Sequence, residues 1–350
     1  MPAQRRTARN FFLTGANMQH GRVVIETIDS RVLQGNAMGD PTRRQVPVYL
    51  PPGYEDSKKR FPSAYVLSGF TGRGLMQLND AWGDETLPQR LDRLIDSGRM
   101  QPMIVAMPDC LTRVGGSQYI NSSATGRYED HLLREVVPFV DACFRTRAER
   151  DYRAVLGKSS GGYGAVIQAM RHPEIFGLAA SHSGDMYFEL CYKPDFVKVA
   201  AQIGHFGGLK AFYDTLTTIR PRNNAFKIIL NTIAMAACYS PNPQAPSGAG
   251  FELPFDEYSA EIHDDVWQRW LEWDPVHLVE KHLDALKSLR LLYIDVGRDD
   301  EFNLQFGARI FCSRLQKHGV NFVHEEFDDG HMNIPYRYDH SFAAISRAME

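Results

Sequence analysis

The sequence predicts an α/β fold: a doubly wound, mostly parallel sheet of about eight strands with an inserted helical cap. Three observations lead there. Short β-rich runs alternate with helical patterns along most of the chain. The middle runs are apolar on both faces, as strands buried inside a parallel sheet are. The rhythm then breaks once, where helix formers and aromatic residues (Tyr187, Phe188, Trp267, Trp270, Trp273) surround the loop Ser240-Pro241-Asn242-Pro243.

The first runs, Val23-Val24-Ile25 and Val46-Pro47-Val48-Tyr49-Leu50, come nearer to alternation and predict an antiparallel edge. Ala64 to Leu67, Met103 to Met107, Ala154 to Leu156, Leu178 to Ala180, 289–296 and 320–327 supply the remaining strands. A helix over 86–97 gathers Leu87, Leu91, Leu94 and Ile95 on one stripe. Another over 128–144 gathers Leu132, Leu133, Val136, Val140 and Cys143, with a kink expected at Pro138. A third, over 302–317, ends before Gly319, a residue suited to the position just past a helix. Residues 1–185 and 276–350 are therefore expected to form the core, and 186–275 a cap with no separate core of its own.

A chain of 350 residues can bury a sizeable core without staples. Lys and Arg number 39 against 42 Asp and Glu, with no charged block, which argues against nucleic acid or an anionic membrane as partner. Five scattered cysteines without a Cys-x-x-Cys pair argue against a disulfide framework or zinc knuckle. Arg5, Arg6 and Arg9 precede only Phe11-Phe12-Leu13, too short an apolar run for a secretory leader. The most apolar stretch, 225–239, is interrupted by Lys227 and Asn231 and falls short of the roughly 20 residues of a bilayer span. The expectation is a soluble, cytoplasmic protein, compatible with a homo-oligomer.

The strongest local signal is Gly157-Lys158-Ser159-Ser160-Gly161, directly after a strand and before a small-residue helix. G-x-S-x-G in that context presents a serine on a turn so tight that side chains two residues either side would collide. Gly162 and Gly164 continue the thinning. Phosphate cradles fail on spacing. A P-loop would need glycine where Tyr152 stands, and a dinucleotide fingerprint from Gly162 would need glycine or alanine at Ile167. Neither is there. No metal-ligand spacing such as His-x-x-x-His appears, so neither cofactor nor metal is expected.

A serine hydroxyl needs a base. Of twelve histidines, His331 in Asp329-Gly330-His331-Met332 follows the last strand, where a loop at the sheet's C-terminal edge lies over the nucleophile. His182 ends the strand after the nucleophile helix. It is a candidate for lining the site, though a hydrogen-bonded core histidine is the stronger reading of the same position. The base needs an acid to fix its tautomer. The run Gly297-Arg298-Asp299-Asp300-Glu301 offers Asp300, with Asp299 as competitor, while Asp295 lies within the strand as a packing residue. Ser159, Asp300, His331 is the chain order of an α/β-hydrolase. For the oxyanion, the Ser160 N–H at the helix start and the Phe70 N–H in Ser68-Gly69-Phe70-Thr71-Gly72 are the natural donors. Gly69 allows close approach of substrate. Phe70, Trp82 and the cap aromatics are expected to crowd a narrow pocket that favours short acyl chains.

With these residues assembled, the sequence resembles the putative-esterase family of α/β-hydrolases, which includes esterase D, feruloyl and acetylxylan esterases, enterochelin esterase and mycolyltransferases. The resemblance covers most of residues 40–345. It rests on Tyr49-Leu50-Pro51-Pro52-Gly53-Tyr54, Leu67-Ser68-Gly69-Phe70, Gly126-Arg127-Tyr128-Glu129-Asp130, Gly157 to Gly164, Gly297-x-x-Asp300 and Gly330-His331. The family's G-x-x-D spacing implies Asp300 rather than Asp299. Ser68-Gly69 stands where the family usually has His-Gly or Asp-Gly, and Lys158 where it has a His or Asp-type neighbour.

The leading expectation is a serine carboxylic-ester hydrolase acting on a small-molecule ester through an acyl-enzyme on Ser159. An acyltransferase would use the same triad with water excluded by the cap, and the product ratio with an acceptor alcohol separates the two. A non-catalytic binding module on the same fold would escape labelling by a fluorophosphonate.

Overall fold

The computed structural model describes residues 19–80 and 82–350; the arginine-rich segment and its apolar run lie outside them. Eight strands form one sheet: β1 (Arg22–Asp29), β2 (Arg43–Leu50), β3 (Ser63–Leu67), β4 (Ile104–Ala106), β5 (Arg153–Lys158), β6 (Leu178–His182), β7 (Leu291–Gly297) and β8 (Val323–Phe327). Their order across the sheet is β1-β2-β4-β3-β5-β6-β7-β8. β1 pairs antiparallel with β2, and β2 antiparallel with β4; every other pairing is parallel. The fold is that of the α/β-hydrolases.

Alternation along each strand explains the unbroken apolar runs. Ala64, Val66, Ala154, Leu156, Leu178 and Ala180 face one side, under helices α1 (Leu87–Asp96) and, late in the chain, Tyr338–Ala348. Tyr65, Leu67, Val155, Ala179, Ile294 and Val296 face the other side. There α2 (Ser160–Arg171) crosses from β5 to β6, followed by α3 (Lys193–Ile203), α4 (Asn224–Tyr239), α5 (Asp264–Leu271) and α6 (Leu304–Lys317). The final helix, Tyr338–Ala348, is α7.

Helix α1 starts at Thr86, whose side chain accepts the Gln89 N–H while Gln89 answers to the Thr86 N–H, a reciprocal capping box. Over 128–143 the irregularity falls one turn earlier than Pro138. Residues His131–Val136 are π-helical and Val137–Cys143 α-helical, the Val137 N–H reaching back to the Leu132 carbonyl. Pro138 has no N–H and its ring would strike the carbonyl four residues before it, so the wider turn precedes it. Gly319 adopts φ 66°, the left-handed conformation that ends α6.

Between β6 and β7 the apolar side chains join the core rather than making their own. Tyr163 of α2 lies 6.0 Å from Tyr239 and 6.1 Å from Phe188, ring centre to ring centre. Trp270 packs edge-on to Tyr239 at 5.5 Å and gives its indole N–H to Ser240 Oγ at 2.9 Å. Full burial of such a ring contributes about 3 kcal/mol, and its one polar atom is satisfied. Among the described residues, no helix is long and apolar enough to cross a membrane.

Candidate active site

Ser159 alone makes the turn between β5 and α2. Its backbone sits at φ 59°, ψ −127°, a region that non-glycine residues rarely enter. Two backbone bonds hold it there: the Ser159 N–H donates to the His182 carbonyl at 2.9 Å, and the Tyr163 N–H to the Ser159 carbonyl at 2.9 Å. The flanking glycines are required by space. A Cβ on Gly157 would fall 2.5 Å from the Leu67 carbonyl oxygen, and one on Gly161 only 2.1 Å from it.

Ser159 Oγ lies 3.0 Å from His331 Nε2, and His331 Nδ1 lies 2.8 Å from Asp300 Oδ2. A carboxylate only accepts, so Nδ1 carries the proton and Nε2 is left to receive the serine hydroxyl. The second Asp300 oxygen accepts the Phe302 N–H at 3.0 Å. Asp300 and His331 are buried, whereas Asp299 is exposed and bonds through its backbone N–H to the Asp329 carbonyl. The chemistry open to this line is proton removal from a hydroxyl already aimed at the base.

The loop after β3 runs beside the same turn: a Cβ on Gly69 would stand 3.7 Å from Ser159 Cβ. Neither the Phe70 N–H nor the Ser160 N–H has an intramolecular acceptor among the described residues, which leaves both for a ligand oxygen. Tyr119 steadies this loop by donating its hydroxyl to the Ser68 carbonyl at 2.6 Å. Gly115, at φ 121°, makes room for the Phe70 ring, which a Cβ would meet at 2.5 Å.

Gly69, Phe70 and Ser160 thus converge on Ser159; His182 and Trp82 do not. His182 shares the face of Leu178 and Ala180, so alternation sends its ring under α7. There Nδ1 pairs with Asp295 Oδ1 at 2.7 Å and Nε2 with Ser341 Oγ at 2.8 Å. Both nitrogens are spent, and substrate contact through them is excluded. This is a second Ser–His–Asp line, with Ser341 wholly buried inside a regular helix. It has hydrogen bonds without access. Asp295 also accepts the Arg337 Nε–H at 2.8 Å; burial raises its pKa, but His182 and Arg337 outweigh that and hold it below the usual carboxylate range. Trp82 is fully exposed on the loop before α1.

Three neighbours escaped the sequence reading. Glu301 Oε2 accepts the His331 backbone N–H at 2.6 Å. The Phe302 ring stands edge-on to the His331 imidazole, centroids 4.8 Å apart. Tyr119 is the third. Glu301 could have been suspected from the carboxylate run; Phe302 and Tyr119 carry no local signal. The ammonium of Lys158, a half-buried residue, makes no ion pair or hydrogen bond among the described residues. Burial pushes its ammonium down, opposed by the charges of Asp300, Glu301 and Asp185.

Elsewhere, Glu189, Asp274 and His277 bring ligand atoms within 4.8 Å of one another. Both Asp274 oxygens, however, already take backbone N–H groups, from Tyr187 and Val276 on one and Phe188 on the other. Those donors oppose a cation, and the cluster reads as a cap for the helical turn Pro275–Leu278.

A family model described as "Putative esterase" matches residues 35–346. An endo-1,4-beta-xylanase/feruloyl esterase of Xylanibacter ruminicola is 30% identical over 152 residues, 40% of this chain and 19% of the relative. An esterase of Mycobacterium tuberculosis is 32% identical over 140 residues, 40% of this chain and 28% of its own. The match thus spans less than a third of either relative. Among solved structures, a ferulic acid esterase superposes with TM-score 0.60 at 20% identity, covering 94% of this chain and 99% of the other. An S-formylglutathione hydrolase from Agrobacterium tumefaciens gives 0.57 at 16%, covering 97% and 99%.

Proposed function

The chain belongs to the putative-esterase family, and on that premise we propose that it hydrolyses small-molecule carboxylic esters through an acyl-enzyme on Ser159. As Ser159 Oγ attacks the ester carbonyl, His331 Nε2 takes its proton. Asp300 keeps the ring in the receiving tautomer and offsets the imidazolium charge. The oxyanion turns toward the Phe70 and Ser160 N–H groups, each such donor being worth about 10²–10³ in rate. His331 then protonates the departing alcohol. Water, deprotonated by the same nitrogen, releases the acid and restores the serine.

The observation that carries this reading is the unbroken line from Ser159 Oγ through His331 to Asp300, at 3.0 and 2.8 Å, on a strained turn open to the ligand side. The helices between residues 186 and 275 act in this reading as a cap over the site. Five unbridged cysteines, four of them buried, favour a reducing, cytoplasmic setting.

The test is a pre-steady-state burst with p-nitrophenyl acetate, together with fluorophosphonate labelling. Ser159→Ala abolishes both. An undiminished burst in that variant would move the nucleophile elsewhere.

A further inference from the structure

Asp185 lies in the loop just beyond β6, at the same edge of the sheet as Ser159, and is 7% exposed. Its Oδ2 accepts two hydrogen bonds, from the Tyr192 hydroxyl at 2.8 Å and the Gln118 amide at 3.1 Å. The same Gln118 nitrogen lies 3.1 Å from the Tyr239 hydroxyl. The two donors on one oxygen favour the ionised form of Asp185, whose oxygens only accept. Oδ1 takes no hydrogen bond among the described residues, and it is not sealed from solvent.

The two segments that bring this group together are both strained. Gln118 and Tyr119 stand at φ 50° and 57°, and Ser183 and Tyr187 at 46° and 58°. Four non-glycine residues in the left-handed region around one carboxylate are costly, and such strain persists where a site needs it. Burial raises the Asp185 pKa, the Tyr192 and Gln118 bonds opposing it, and His331 and Asp300 are both near enough to act on its charge. The proposed hydrolysis makes no use of this group.

We infer that Asp185 is a specificity residue whose open Oδ1 receives a hydroxyl group of the ester substrate. The ionised oxygen only accepts, so the group it receives is a donor. A neutral hydroxyl suits it better than an ammonium, since Lys158, unpaired and close enough to act on Asp185, would repel a second cation. The inference rests on the hydrolytic reading and adds a substrate class to it: hydroxylated esters.

Two matched pairs test it: methyl acetate against methyl glycolate for the acyl side, and ethyl acetate against 2-hydroxyethyl acetate for the alcohol side. Rates are taken relative to hydroxide-catalysed hydrolysis. The wild type should favour the hydroxylated member of at least one pair by roughly tenfold in kcat/KM, the scale of a hydrogen bond to a charged group. Asp185→Asn should bring that ratio close to one while changing the plain ester by less than about threefold. If Asp185→Asn does not fold, Tyr192→Phe, which removes one donor holding the carboxylate, should lower the same ratio. Equal loss on both members, or a wild type indifferent in both pairs, overturns the assignment. Absence of turnover on all four esters would instead sink the hydrolytic reading, and this one with it.

Discussion

The backbone carbonyl of His182 accepts the N–H of Ser159 at 2.9 Å, so a residue whose ring lies on the opposite face of the sheet holds the Ser159 turn from behind. Its ring, locked between Asp295 and Ser341, fixes that carbonyl. Two Ser–His–Asp lines therefore lie within one fold, one open and one sealed.

Ser341→Ala should leave the burst intact and lower stability by about 1–3 kcal/mol, the cost of an unpaired buried imidazole nitrogen. Urea unfolding and burst amplitude measured on the same preparation check this. Loss of the burst without loss of stability would mean the sealed line is the working one.

Asp300→Asn keeps the shape of the acid but allows His331 the wrong tautomer, a change that costs about 10⁴ in a serine protease. The same fall is expected here, with normal folding. Asp299→Asn, exposed and without a bond to the ring, should retain most activity. His331→Ala should match Asp300→Asn, and the double variant should be little worse, because the three groups act as a unit. Single-turnover rates on p-nitrophenyl acetate decide between them.

Glu301 fixes the main chain of His331 rather than its ring. Glu301→Ala should lower kcat about tenfold with KM nearly unchanged, because a small misplacement of the base is expensive. Glu301→Gln keeps an accepting oxygen and should recover most of the rate. Equal losses in the two variants would point to charge rather than position.

Gly161→Ala forces a Cβ to within 2.1 Å of the Leu67 carbonyl, a backbone atom that cannot yield cheaply. The expected cost is about 3 kcal/mol or more. Gly319→Ala meets nothing within 4 Å and suffers only its left-handed φ, about 1 kcal/mol. Comparing the two unfolding midpoints separates steric from conformational need.

Asp339 joins α7 to α1 through Arg90 at 2.6 Å and Arg93 at 2.9 Å, with Arg99 at 3.1 Å. Burial opposes ionisation, but the arginines outweigh it and hold the carboxyl below its usual range. A depressed folded pKa stabilises above the unfolded value and is lost as pH falls through the folded one. Asp339→Asn should thus cost about 1–2 kcal/mol at neutral pH. The gap should close as pH drops below about 4. A gap that does not narrow in acid would refute the linkage.

By itself the sequence located every strand of the eight-stranded sheet, the antiparallel edge and the serine's turn, and it named His331 and, through the family's spacing, Asp300 as candidates beside it. Those features are written locally, in runs of Val, Leu and Ala buried on both faces and in glycines that no side chain can replace. Gly157 and Gly161 are legible from the pattern around Ser159, although the carbonyl a Cβ would strike belongs to Leu67 on β3; Gly319 alone has a purely local reason, its left-handed φ. The tertiary structure alone decided where His182 points, because one residue of register separates the α2 face from the α7 face and no neighbour in sequence reveals which is wet. It also decided that Trp82 faces solvent and that the irregular turn precedes Pro138. The bonds of Glu301 to His331, Tyr119 to Ser68 and Asp185 to Gln118 join residues 30, 51 and 67 positions apart. Such contacts follow from how strands stack at the sheet edge, a long-range outcome of packing that local pattern does not encode.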